Sequence, residues 1–130
     1  MGIMRELFEI AEFVACSWRL ANQDRTFNVR SDILSAAIYD LRTELPHSES
    51  LTFGNTRTGF CCYELETIVY AMQANLLIEL DVSGSKARAI VDEPTGRLLL
   101  TRRNVDLKRA VSFAKALADA VTALGLRVSA

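Results

Sequence analysis

Apolar positions recur with a helical period at both ends of the chain. Ile3, Leu7, Ile10, Val14, Trp18 and Ala21 are spaced three or four apart, and Met4, Phe8, Ala11 and Ala15 widen the stripe beyond a third of the circumference. A helix over 3–21 with so broad an apolar face is either central to a core or packed on both the core and a partner. The turn formers of "NQDRTFN" (22–28) end it. Ser31 is placed to cap a second helix to about Glu44 that buries Ile33, Leu34, Ala37, Ile38 and Leu41, and Pro46 stops it. A last stripe, Leu107, Ala110, Val111, Ala114, Leu117, Ala118, Val121 and Leu124, follows an Asn104 cap with Asp106 in the first turn, and Gly125 closes it. Its alanines let another helix approach closely.

The middle of the chain changes period. Leu51–Phe53 reads as a short strand before the turn signals Gly54-Asn55 and Gly59. A third helix follows from about Cys61 to Asn75, with Cys62, Leu65, Val69, Met72 and Leu76 on one stripe. "ARAIVDEPTGRLLLT" (87–101) places two apolar runs around Glu93-Pro94-Thr95-Gly96 and reads as a β-hairpin, because Pro presets a turn and Gly accepts a positive φ. The expected fold class is therefore mainly α with a small β-hairpin, or a three-stranded antiparallel wing if Leu51–Phe53 pairs with it. With its added long C-terminal helix, this order is winged helix-turn-helix-like, a single domain over 1–130.

"YELETIVYAMQANLLIEL" (63–80), then a hairpin, then "GRLLL" (96–100) leading into a helix, resembles the small winged helix-turn-helix proteins of the YwgA and Panacea-antitoxin type. The likeness covers roughly residues 30–103. The chain departs from those proteins before the third helix, where "FGNTRTGFCCYEL" carries no proline-bearing turn. The resemblance implies a DNA-binding transcriptional regulator or an antitoxin-like member of a regulatory pair. The apolar faces of the terminal helices, 1–21 and 104–125, are wider than a small domain needs, so a homodimer paired through them is expected, in agreement with the resemblance.

Charge changes that picture. Fifteen Lys and Arg against sixteen Asp and Glu leave a net charge of −1, so no global field draws the protein to nucleic acid or an anionic membrane. No Lys or Arg occurs between Arg57 and Lys86, and the third helix opens on Glu64 and Glu66 where a base-reading helix would carry Arg, Lys, Asn or Gln. Phosphate contacts would have to come from Arg57, Arg88, Arg97, Arg102 and Arg103. Tyr63, Glu64, Glu66, Thr67 and Tyr70 are the candidates at a groove or partner surface. In the alternative reading, the acidic third helix meets a basic protein partner and the chain is a non-enzymatic adaptor or inhibitor.

Other chemistry is sparse. The three cysteines, Cys16, Cys61 and Cys62, are odd in number and include an adjacent pair, which points to a reducing, cytoplasmic setting rather than a disulfide framework. Glu6, Glu9 and Glu12 interrupt the apolar N-terminus every three residues, so a membrane span is not expected. His47, alone in "PHSES", reads as a surface loop residue, and with Ser48 or Ser50 it makes no convincing nucleophile–base pair. One His and a Cys-Cys pair fall short of a zinc set, and scattered glycines make no phosphate loop; neither an enzyme, a metal nor a cofactor is expected.

Overall fold

The computed structural model describes residues 2–57 and 59–129. In chain order the elements are α1 (Gly2–Asn22), β1 (Phe27–Asn28), α2 (Ser31–Asp40), two 3₁₀ turns at Arg42–Glu44 and Ser48–Ser50, β2 (Phe53–Thr56), β3 (Gly59–Cys62), α3 (Leu65–Ala74), β4 (Ile78–Leu80), β5 (Lys86–Ala89), α4 (Glu93–Arg102) and α5 (Leu107–Ser129). The fold is mainly helical, with one three-stranded and one two-stranded antiparallel sheet.

The broad stripe of α1 makes it the hub. Leu7, Ile10, Phe13, Val14, Cys16 and Trp18 are buried, and the helix packs against α3, α4 and α5 within the chain. Phe13 meets Phe113 of α5 with ring centroids 5.0 Å apart. Gly96 places α4 against α1 at Cys16. Most of the apolar surplus at both termini is thus used internally, and Ile3, Met4 and Leu126 are what remains exposed at the helix ends.

The three-stranded sheet has the order β1-β5-β4, with Phe27 and Leu80 both opposite Ala87. Trp18 locks β1 onto α1: its indole N–H donates to the Arg25 carbonyl at 2.7 Å, and its ring lies 4.5 Å from that of Phe27. The β4–β5 turn is built by Asp81, whose carboxylate accepts from the Ser83 hydroxyl and the Ser85 and Lys86 amides, while Gly84 takes a φ of 74°. Those donors hold the Asp81 carboxyl below its usual range, the Lys86 amide contributing most.

Several sequence expectations are corrected here. Residues 93–102 form α4, not the second half of a hairpin: the Asp92 side chain accepts from the Thr95 amide at 2.8 Å and Pro94 occupies the first turn, a helix start that resembles a proline turn in sequence. The hairpin instead joins β4 to β5, where Ala87 and Ala89 face inward and Lys86 and Arg88 outward. The strand expected at Leu51–Phe53 starts at Phe53 and pairs with β3, not with this hairpin; β1 supplies the third strand. Cys61 and Cys62 therefore lie on β3, before α3 begins.

The helix ends also differ. Ser31 is the first residue of α2 rather than its cap, α2 ends at Asp40, and Arg42–Glu44 continues as a 3₁₀ turn. Leu76 is not on the buried stripe of α3: it takes a φ of 60° after the Asn75 C-cap, is 74% exposed, and leaves Leu77 to enter the core. Asn104 sits in the left-handed turn after α4, and Asp106 caps α5 by accepting from the Lys108 amide at 3.0 Å. Gly125 lies inside α5 and does not end it, since an isolated Gly weakens a helix without breaking it.

Candidate functional site

Two regions gather polar side chains in ways the core does not need. The first is a groove of about 440 Å³ between α3 and the β4–β5 hairpin, floored by Val29, Leu65, Val69 and Leu80 and edged by Ser31, Glu66, Tyr70, Gln73 and Gly84. Its apolar floor follows from α3's stripe, while Glu66, Tyr70 and Gln73 fall one turn apart on the outward face. Tyr70 is 70% exposed, a large aromatic surface held in place by a short, well-packed helix. No Lys or Arg lines this groove.

Of the other residues expected at this surface, Tyr63 and Glu64 have structural partners. The Glu64 carboxylate accepts from the Thr52 amide at 2.7 Å and its hydroxyl at 2.9 Å, tying the β2–β3 hairpin to the start of α3. Tyr63 lies over Gly54, so close that a Cβ there would meet its hydroxyl at 2.8 Å. The buried Ser35 hydroxyl accepts from the Cys62 amide, and Tyr39, Phe53 and Phe60 cluster with Arg42 stacked on Tyr39. Within 41–64, β3 is thereby anchored to α2, and Glu64 ties Thr52 to the start of α3. Thr67 is half-buried beside it.

Of the five arginines expected to form one stripe, three are paired with carboxylates. Arg88 on β5 pairs with Glu79 across the strand, Arg97 pairs with Glu93 one turn back at 3.2 Å, and Arg103 grips α1. Arg57 is exposed at the turn of the β2–β3 hairpin, and Arg102 is exposed at the end of α4.

The second region joins α1, the 46–50 loop and the α4–α5 junction. Glu12, 5% exposed, is held by Arg103 Nε at 3.0 Å, and Arg103 Nη1 donates to Glu9 at 2.8 Å. Glu9 also pairs with Nε2 of His47, and the Ser50 hydroxyl donates to Glu6. The carboxylates at 6, 9 and 12 are thus about a turn apart on one face of α1, so that Glu6 and Glu9 reach the 46–50 loop and Glu9 and Glu12 reach Arg103. Sequence reasoning noticed this spacing only as an interruption of a hydrophobic run. His47 takes a φ of 54° and is engaged by the carboxylates of Glu9 and Glu49, while the Ser50 hydroxyl turns to Glu6.

Burial pushes the Cys16 thiol up to about 12, with Glu12 adding to the effect, and burial pushes Cys62 up to about 11. Both stay protonated at neutral pH and are shielded, whereas Cys61 is half-buried. In the native protein at pH 8, a disulfide reagent should label one thiol quickly, at Cys61, and the other two only after denaturation. Fast labelling of two thiols would contradict this packing.

Compared with known families, with curated proteins and with solved structures, the chain finds no match in any of the three. No helix among the described residues is long and apolar enough to cross a membrane.

Proposed function

We propose that the chain is a regulatory protein on a winged helix-turn-helix-type scaffold that acts by gripping a protein partner in the groove between α3 and the β4–β5 hairpin. The scaffold assignment draws on the order α1-β1-α2-β2-β3-α3-β4-β5, with β2-β3 as a separate hairpin, and on the sheet order β1-β5-β4, in which a strand between the first two helices closes onto a hairpin after the third. The single observation that carries the functional reading is the lining of that groove: Glu66, Tyr70 and Gln73 over an apolar floor, without a cation. A DNA-reading helix needs phosphate-binding cations around it and a free N-terminal turn for base edges. Here residues 41–64 replace the 3–4-residue turn of a DNA-binding helix pair, and Glu64 ties that insertion to the helix start.

The partner chemistry follows from the lining. An Arg or Lys side chain would pair with Glu66 and lie on the Tyr70 ring, and a neighbouring aliphatic group would fill the floor at Val69 and Leu80. Two copies joined through the exposed Ile3 and Met4 at the start of α1 would present two such grooves.

A photo-crosslinking residue placed at Tyr70 in cells should give protease-sensitive adducts that Glu66→Lys removes. The complementary measurement is binding to a mixed-sequence duplex at about 50 and 200 mM salt, a range over which phosphate-dominated binding collapses. Nuclease-sensitive adducts, or duplex binding at the lower salt that is lost at the higher and on Arg57→Glu with Arg102→Glu, would replace this reading with the DNA-binding regulator. Glu64 is unsuitable for charge reversal, because its contact with Thr52 is structural.

A further inference from the structure

Where the first turns of α1 pass the 46–50 loop, Glu6, His47 and Glu49 each bring one ligand atom within 4.8 Å of the others. We propose that these three side chains bind a divalent transition-metal ion, zinc in the first place, through one imidazole nitrogen and two carboxylate oxygens, with water completing the tetrahedron. The site is independent of the groove at α3.

The first support is how the histidine is held. Metal-ligating imidazoles commonly give their second nitrogen to a carboxylate, which fixes the tautomer and aims the ring. Glu9 takes Nε2 of His47 in this way, and Nδ1 turns toward Glu49 at 4.0 Å. Glu9 is itself held at 2.8 Å by Arg103, which is anchored on the buried Glu12 at 3.0 Å. The ring therefore stands at the end of a chain of fixed groups that begins in the core.

Charge is the second support. Glu6, Glu9 and Glu49 lie around His47, and Arg103 pairs with Glu9 and with Glu12 behind it. A divalent ion would offset the remaining negative charge directly. Ser50 donates to one oxygen of Glu6, which leaves the other for a ligand.

Geometry and access complete the case. Tetrahedral zinc holds nitrogen and oxygen ligands at about 2.0–2.2 Å, which places them ~3.4 Å from each other. In the present cluster the ligand atoms lie within 4.8 Å of one another, with Nδ1 of His47 4.0 Å from Glu49, and the Glu49 side chain, 75% exposed, can swing inward to close the set. The mixed imidazole and carboxylate set favours zinc over calcium or magnesium, which prefer oxygen alone.

The test is calorimetric titration of zinc into full-length protein stripped with a chelator. One equivalent should bind to the wild type, and Glu49→Gln or His47→Asn should weaken binding at least ~10-fold. Asparagine tolerates the left-handed backbone at 47, and Glu49 is too exposed for its loss to unfold the chain, so folding does not confound the result. Glu9→Gln should weaken binding about 10-fold through the ring it holds, without removing a ligand. Cys61→Ser should leave binding unchanged. Absence of zinc uptake by the wild type, wild-type affinity in both ligand variants, or loss of binding in Cys61→Ser would each overturn the site.

Discussion

Trp18→Ala is expected to lower the free energy of unfolding by about 4 kcal/mol, the largest single effect in this protein. The residue is 1% exposed, and its ring joins α1 to Phe27 on β1 while its N–H satisfies the Arg25 carbonyl at 2.7 Å. Truncation removes a large apolar volume, leaves a cavity and orphans a carbonyl in one step. Because β1 is the outer strand that pairs with β5, the loss should spread to the sheet, with amide exchange quickening at Phe27 and Ala87 before the rest of the core. Trp18→Phe isolates the polar part: most of the packing stays, the hydrogen bond goes, and about 1–2 kcal/mol should be lost. Trp18 is the only tryptophan, so urea unfolding must be followed by far-ultraviolet circular dichroism rather than fluorescence. Equal losses in the two variants would mean that the hydrogen bond, and not the ring, holds β1.

Arg103→Met should cost about 3 kcal/mol, by leaving a buried carboxylate without its partner. The Glu12 side chain is 7% exposed and Glu9 17%, so neither recovers full hydration when the guanidinium is removed. Arg103 is itself 37% exposed, which keeps the figure at the low end of what broken buried pairs cost. Glu12→Leu in the same background should restore most of the loss, because an apolar pair of similar volume needs no desolvated charge. A double-mutant cycle by urea denaturation gives the coupling directly. A coupling near zero would mean that solvent, not Arg103, neutralises Glu12. The same variant should loosen Glu9 and with it the His47 ring.

Arg103 also illustrates how far a sequence can be misread at a single residue. In "TRRN" it looks like one more member of a basic stripe, yet it lies across a helix 91 residues away in sequence and serves the core. Arg102 beside it is exposed. Both are exposed, but Arg103, the C-cap of α4, reaches two carboxylates of α1.

The hairpin is a second instance. "VDEPTG" contains both a proline turn and a capped helix start, and local residue preference cannot decide between them. The helix wins because Leu100 and Gly96 then face α1, a burial that two short strands there would not provide. The turn that does join two strands, "DVSGS", is held by one aspartate accepting several donors.

What the sequence determined by itself is the set of faces. The periods of α1, α2, α3 and α5, the lack of cations from Arg57 to Lys86, and the acidic spacing at 6, 9 and 12 are properties of residue order alone, because helical geometry converts spacing into a side. What only the tertiary structure decided is which faces meet: that the terminal helices pack on one another, that β1 rather than Leu51–Phe53 completes the sheet, and that Glu9, Arg103 and His47 converge. Those contacts join residues far apart in the chain, and their choice depends on the total area buried by every alternative packing, which no local pattern records.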